Sequence, residues 1–378
     1  MSYRTANRSP SAKHVQAVET LENRRHLAVT AAAFHETLYV WGDANPNAIT
    51  VDLDSATGEL FVETWEGRRW KEIFRVAEDE VVQIRMYGYE GNDALKVGTF
   101  VTTHAVLMGG SGADYLKLGN GTGQLYGHGI WNGPGSDDHQ LENDDHADDI
   151  LYTGRGAAVA DGQGGNDRIY QGAYGTGHQM LIGGPGHDRF YTSDTGTSTW
   201  IDGGEGNDTW YPKADRATKP VTFVGGPGHD SAFYGQWDKD VWLVSDGVNY
   251  SGLKDGNRPH LIHADVEALH GGSGHDVLIG SNKNDFLYGN GGNDTIIGLG
   301  GDDSIYGGSG DDLIYAGEGD DYVDAGWGND TVYAGGGNDT LFGNQGNDVL
   351  FGEAGDDVLE GGDGIDLLNG GPGNDTYL

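Results

Sequence analysis

Cysteine is absent from the 378 residues. Thiolate metal sites, redox dithiols and disulfides are therefore excluded. A secreted protein without disulfides can use metal ions as its cross-links. Basic residues are scarce: 22 Lys and Arg stand against 59 Asp and Glu, a net charge of −37. A nucleic-acid groove needs clustered positive charge to neutralise phosphates, and this chain repels polyanions. No apolar run approaches the roughly 20 residues of a membrane span, which also counts against a pore-forming toxin. Prolines number only 9 and glycine has no three-residue period, so collagen is excluded. Disorder fits the charge but not the 36% hydrophobic content, with 19 Tyr and 9 Trp.

What is abundant is glycine, 68 residues against a usual share of about 7%. It recurs at a fixed period, the signature of a repeat architecture. From Gly271 to Leu378 the chain divides into twelve consecutive units of nine. They begin at Gly271, Gly280, Gly289, Gly298, Gly307, Ala316, Ala325, Ala334, Gly343, Gly352, Gly361 and Gly370. The sixth position is always aspartate: Asp276, Asp285, Asp294, Asp303, Asp312, Asp321, Asp330, Asp339, Asp348, Asp357, Asp366 and Asp375. The eighth is always large and apolar or aromatic, from Leu278 to Tyr377, and the fourth is glycine except at Lys283.

Glycine reaches positive φ without steric cost, so six residues rich in Gly, Asn and Asp read as a turn. Three residues such as Thr340-Leu341-Phe342 then read as a short strand. Alternation sends the eighth side chain inward and the seventh and ninth outward. Helix is a poor alternative, because glycine costs about 1 kcal/mol per residue against alanine. Residues 271–378 hold 18 Asp and 3 Glu against Lys283 alone, a net −20. Coils stacked about 4.8 Å apart pile the sixth-position carboxylates on one another, which demands a counter-ion. A merely solvated acidic face leaves the constancy of position six unexplained.

Upstream the same signature recurs once per longer interval, at Gly88, Gly109, Asn132 (a variant), Gly162, Gly183, Gly203 and Gly225. This reads as one coil per 20–23 residues with a glycine-aspartate turn on one edge. The interval from Gly225 to Gly271 reads as two such coils. The corresponding aspartates are Asp93, Asp114, Asp137, Asp167, Asp188, Asp208 and Asp230. They are either further metal ligands or plain solenoid corners. The acidic insertion Asp137–Asp149 reads first as a solvated loop, and otherwise as a private metal site. Residues 37–87 alternate like strands and suit a cap over the first coil. Residues 1–36 read as an export segment or a disordered leader.

The units resemble the glycine-aspartate nonapeptide of RTX (repeat-in-toxin) proteins, the hemolysin-type calcium-binding repeat. Gly307-Gly308-Ser309-Gly310-Asp311-Asp312-Leu313-Ile314-Tyr315 fits every position, and the looser coils carry the likeness back to Gly88. Residues 21–28 resemble an LE-x-R motif near the start of some large repetitive bacterial surface proteins. The RTX resemblance implies an all-β fold, a right-handed parallel β-roll or β-helix solenoid, in which two nonapeptides make one coil. It implies Ca²⁺ between stacked turns, held by sixth-position carboxylates and turn carbonyls, with about ten interior positions in 271–378.

Catalytic motifs are missing. His35-Glu36 lacks the second histidine of a zinc-protease helix, and neither a G-x-S-x-G elbow nor a G-K-[ST] loop occurs. The Gly-His-Asp turns at His187, His229 and His275 follow the repeat. The sequence is thus read as a non-enzymatic calcium-binding solenoid, secreted or on the cell surface, with a structural or matrix role. The alternative is a carbohydrate-active β-helix of the lyase or epimerase kind carrying an RTX module. Partners expected besides calcium are a surface or matrix polysaccharide, or a second copy at the open end of the solenoid.

Overall fold

The computed structural model describes residues 29–66, 69–127, 147–172, 177–193, 198–213, 221–238, 240–245, 250–253 and 260–378. The segment 1–28, with its export and LE-x-R readings, lies outside these, as do Asp137 and most of the acidic insertion.

The described chain is almost wholly strand, wound as a parallel β-solenoid. Successive short strands alternate between two parallel sheets. His104–Ser111, Gly123–Tyr126, Ala158–Asp161, Gln179–Pro185, Thr199–Glu205 and Val221–Val224 stack in one. Ala94–Val97, Tyr115–Lys117, Ile150–Tyr152, Arg168–Tyr170, Arg189–Thr192 and Thr209–Pro212 stack in the other. The winding starts earlier than residue 88, since Thr37–Trp41 and Ala48–Asp54 already pair in parallel with Gln83–Glu90 and Ala94–Val97. Antiparallel strands cover this end: Thr30–Phe34 lies on Thr37–Trp41, and Glu59–Glu66 lies between Ala48–Asp54 and Arg69–Ala77.

Alternation builds the core as the sequence requires. Eighth-position side chains from Leu278 to Leu359 are fully buried between the sheets. The longer coils enclose a wider interior and fill it with Phe190, Trp210, Phe223, Tyr234 and Trp237. His260 is buried with them and bonds the Tyr234 hydroxyl through Nδ1 at 2.6 Å. Burial lowers its pKa to about 3, so it packs as a neutral ring.

On the outer face, rings one coil apart stack. Tyr152, Tyr170, Tyr191 and Tyr211 follow at 4.4, 4.6 and 4.9 Å, and His270, Tyr288 and Tyr306 at 4.3 and 4.9 Å. Phe233 links the two runs, so the ladder passes unbroken from the long coils into the nonapeptide array.

The strands of the array are longer than a three-residue reading allows. Phe286–Gly291, Thr295–Gly300 and Ser304–Ser309 each take positions seven to nine and continue through positions one to three. Asn290 pairs with Gly308 and Gly291 with Ser309 across neighbouring coils. Position two bends the strand at positive φ without interrupting its ladder, leaving only positions four to six to turn.

Candidate metal-binding ladder

The turns from Asp276 to Asp357 bury the sixth-position aspartate against the coil before it. The backbone N–H of Asp303 donates to Oδ1 of Asp321, that of Asp321 to Asp339 and that of Asp339 to Asp357, at 2.8–2.9 Å. On the opposite edge the run is Asp276, Asp294, Asp312, Asp330, Asp348 and Asp366, at 2.7–3.0 Å. One carboxylate oxygen therefore caps an otherwise unsatisfied N–H.

The other oxygen does not. Oδ2 of Asp303, Asp312, Asp321, Asp330, Asp339, Asp348 and Asp357 is buried with no hydrogen-bond partner. A buried anionic oxygen left unmatched is expensive, and here it repeats in every turn from Asp303 to Asp357. Burial, with like charges on neighbouring coils as a second cause, pushes Asp303 up to about 8 and Asp339 up to about 7. Burial likewise raises Asp312 to about 7, and Asp321 and Asp330 to about 6.

A divalent cation answers this arrangement. Lys283 is the only Lys or Arg in 271–378. Among the described residues no three His, Asp or Glu side chains converge on one point. The remaining ligands must then come from the backbone. Oδ2 of Asp303, Asp312 and Asp348 faces position one, where the Ala316, Ala325 and Gly361 carbonyls of the next coil approach the same side of Gly298, Gly307 and Gly343, and the position-four carbonyls form a further column. Those of Gly292, Gly310 and Gly328 lie so close against Gly310, Gly328 and Gly346 that a Cβ there would come within 1.5–1.9 Å of the oxygen. Position four is also held at φ of 126–143° in these turns. Only glycine meets both demands. Hard carbonyl and carboxylate oxygens with no nitrogen or sulfur match Ca²⁺.

The first two turns differ. Oδ2 of Asp276 accepts the Gly272 N–H at 2.6 Å, and Oδ2 of Asp285 accepts the Ser281 N–H at 2.5 Å. Their carboxylates are matched inside the turn. At the other end Asp366 and Asp375 are only half-buried.

The ladder also runs through the long coils on a single edge. Asp93, Asp114, Asp167, Asp188, Asp208 and Asp230 all stand in it. Oδ2 of Asp93, Asp188, Asp208 and Asp230 is again buried and unmatched. Burial raises Asp188 and Asp230 to about 8, and Asp93 and Asp208 to about 6. The rung between Asp114 and Asp167 is Asp149: the Asp114 N–H donates to Asp149, and that of Asp149 to Asp167, both at 2.7 Å, while Asp137 lies outside the described residues. After Asp230 the rung is Glu267, whose Oε2 accepts the Asp230 N–H at 3.0 Å. Strand pairing then leads on to Phe286–Gly291, so the long-coil edge continues into the Asp285 series, and Gly271 opens the other edge. Sequence reasoning missed Asp149 and Glu267 because their turns lack the glycines. Their signal is the carboxylate followed by Ile150-Leu151-Tyr152 or Ala268-Leu269-His270.

Position five forms a second ladder in the reverse sense. Asn293 Oδ1 accepts the Asp311 N–H, Asp311 that of Asn329, and Asn329 that of Asn347, at 2.8–3.1 Å. His275 and His187 join through Nδ1, accepting the N–H of Asn293 at 2.6 Å and of Asn207 at 2.8 Å.

A family model described as the RTX calcium-binding nonapeptide repeat matches residues 106–129 and 147–173. It also matches 270–305, 297–332, 306–341, 333–368 and 342–377 in overlapping windows. No curated protein matches the chain. The matched windows coincide with coils of the aspartate ladder and fall on both sides of the acidic insertion, so residues 106–129, 147–173 and 270–377 carry RTX calcium-binding nonapeptide repeats.

Proposed function

We propose that the protein is an extracellular, non-enzymatic calcium-binding solenoid with a structural role at the cell surface or in a matrix, whose C-terminal array folds when calcium is supplied. The observation that carries this reading is the column of buried, unmatched Oδ2 atoms from Asp303 to Asp357. Calcium supplies positive charge there, and Asp Oδ2 with turn carbonyls of the adjoining coils would hold it. The six turns on each edge leave about ten interior positions, those beside Asp276 and Asp285 being the weakest.

At a calcium concentration ten times the Kd, each site adds roughly 1.4 kcal/mol if the unfolded chain does not bind. At cytoplasmic calcium levels the term is nearly zero. The array is then disordered and threadable before export and ordered after it. The long coils, with their larger aromatic core, depend on calcium less.

The test is circular dichroism and calorimetry of the full chain, first with chelator and then with millimolar Ca²⁺. A large gain of β-structure and saturation near ten ions support the reading. Full β-structure in chelator, or saturation by one or two ions, would refute it. Cleavage or epimerisation of anionic polysaccharides by the purified chain would refute the non-enzymatic part.

A further inference from the structure

Away from the aspartate ladder, the outer face of the long coils carries an open groove of about 560 Å³. Strand register builds it from two parallel rows. His104, Thr122, Ala157, His178 and Ser198 form one. The other runs Gln124, Val159, Met180, Trp200 and Thr222, each residue paired with the next across adjacent coils, and meets the buried Val106 at one end. Both rows face outward because they alternate with the buried Ala105, Leu107, Leu125, Ala160, Leu181 and Ile201.

The chemistry of this groove is unlike the rest of the molecule. Among the described residues its lining contains no Asp, Glu, Lys or Arg, on a chain of net charge −37. Among the described residues formal charge begins at the rim. Arg85 pairs with Val106 at one end, and Asp161 and Asp202 stand two residues further along their strands. Trp200 and Met180 are adjacent and 46% and 42% exposed, which gives an apolar platform where burial was available to neither. Polar groups with both donors and acceptors surround that platform. His104 Nδ1 is engaged with Thr122 Oγ1 at 2.8 Å, and His178 Nδ1 with Ser198 Oγ, leaving Nε2 of each ring for a ligand. Burial and Arg85 hold His104 below the usual imidazole range, so it is neutral at pH 7.

We propose that this groove binds an uncharged polysaccharide lying across the coils. An indole face stacks on the apolar face of a sugar ring, and neutral imidazole, amide and hydroxyl groups bond its hydroxyls. A shallow cleft open at both ends admits a chain, and rungs repeating about every 4.8 Å offer the same polar row to successive sugars. An anionic glycan is disfavoured by the charge of the whole molecule and by the lack of a basic residue in the lining. This inference concerns the long coils alone and does not rest on the calcium reading.

The test is affinity electrophoresis of the full chain, with calcium present, through gels containing soluble neutral glucan or xylan. Polygalacturonate serves as the anionic control. Retardation by a neutral polysaccharide, and not by polygalacturonate, is expected. Trp200→Ala should weaken it by about tenfold or more, equivalent to about 1.4 kcal/mol. Met180→Glu, which keeps the indole but places a carboxylate in the lining, should weaken it comparably. Circular dichroism and calcium stoichiometry should not change in either variant. No retardation by glucan or xylan, equal retardation by polygalacturonate, or undiminished binding by both variants would overturn the proposal.

Discussion

Asp303 and Asp321, one coil apart, share a single hydrogen bond: the Asp303 N–H donates to Asp321 Oδ1 at 2.8 Å, while Oδ2 of both is buried and unmatched. The two oxygens of one side chain thus have separate tasks. Oδ1 is structural, and Oδ2 carries charge that only a cation or a proton can answer.

Substitution at Asp321 separates them. Asp321→Asn keeps an acceptor for the Asp303 N–H and removes the charge. It should weaken calcium binding at the neighbouring gaps while leaving the calcium-free chain as stable as before or more so. Asp321→Ala also strands the buried N–H, which costs about 1–3 kcal/mol. Calorimetric calcium titration and urea unfolding in chelator check both. Equal stability of the Asn and Ala variants in chelator would contradict the division of roles.

Acid should partly substitute for calcium. Asp303 titrates at about 8, Asp312 and Asp339 at about 7, and Asp321 and Asp330 at about 6. The unfolded value is near 3.9. Between these limits the folded state binds more protons than the unfolded one, so calcium-free stability falls as pH rises from about 4 to 8. Lowering the pH of a chelated sample from 8 to 5 should increase β-structure, the reverse of ordinary acid denaturation. Calcium affinity should decline over the same range, because protons compete for Oδ2. Loss of β-signal on mild acidification in chelator would show that the aspartate stack does not limit folding.

The sequence made the array legible because one chemical demand falls on each position. The buried row from Leu278 to Leu359, the aspartate edge and position-four glycine all follow from periodicity and backbone freedom. Where demands are looser, the reading slipped. Position five looks variable, yet Asn, Asp and His are interchangeable as acceptors of one backbone N–H, which only the stacked coils reveal. Asp149 and Glu267 keep the carboxylate and the inward apolar residue but lose the glycines, so a glycine-led register passes over them. The groove around Trp200 leaves no motif, because its rows come from residues some 20 positions apart in coils of unequal length.

That interchangeability predicts a pattern at His275. Its Nδ1 accepts the Asn293 N–H at 2.6 Å. His275→Asn should be neutral in stability and in calcium binding. His275→Leu, equally bulky but unable to accept, should lose about 1 kcal/mol. Thermal unfolding in millimolar calcium distinguishes them. A large loss in the Asn variant would mean that the imidazole has a role beyond the ladder.

Backbone strain gives the last prediction, and its sign differs between two neighbouring turn positions. Leu299 occupies position two at φ 84°, with its side chain 45% exposed. A non-glycine residue in the left-handed region is strained by about 1–2 kcal/mol. Glycine removes that strain but adds about 0.5–1 kcal/mol of chain entropy in the unfolded state. Little packing is lost with an exposed side chain, so Leu299→Gly should stabilise the array by up to about 1 kcal/mol. Gly310, at position four of the next turn, has φ 126°, and a Cβ there would meet the Gly292 carbonyl oxygen at 1.9 Å. That contact is with backbone and cannot be relieved by a rotamer change. Gly310→Ala should therefore push adjacent coils apart, with a loss of more than about 2 kcal/mol and weaker calcium binding on that edge. Urea midpoints measured at fixed millimolar calcium check the pair. If Leu299→Gly destabilises while Gly310→Ala is tolerated, position two and not position four controls the approach of the coils.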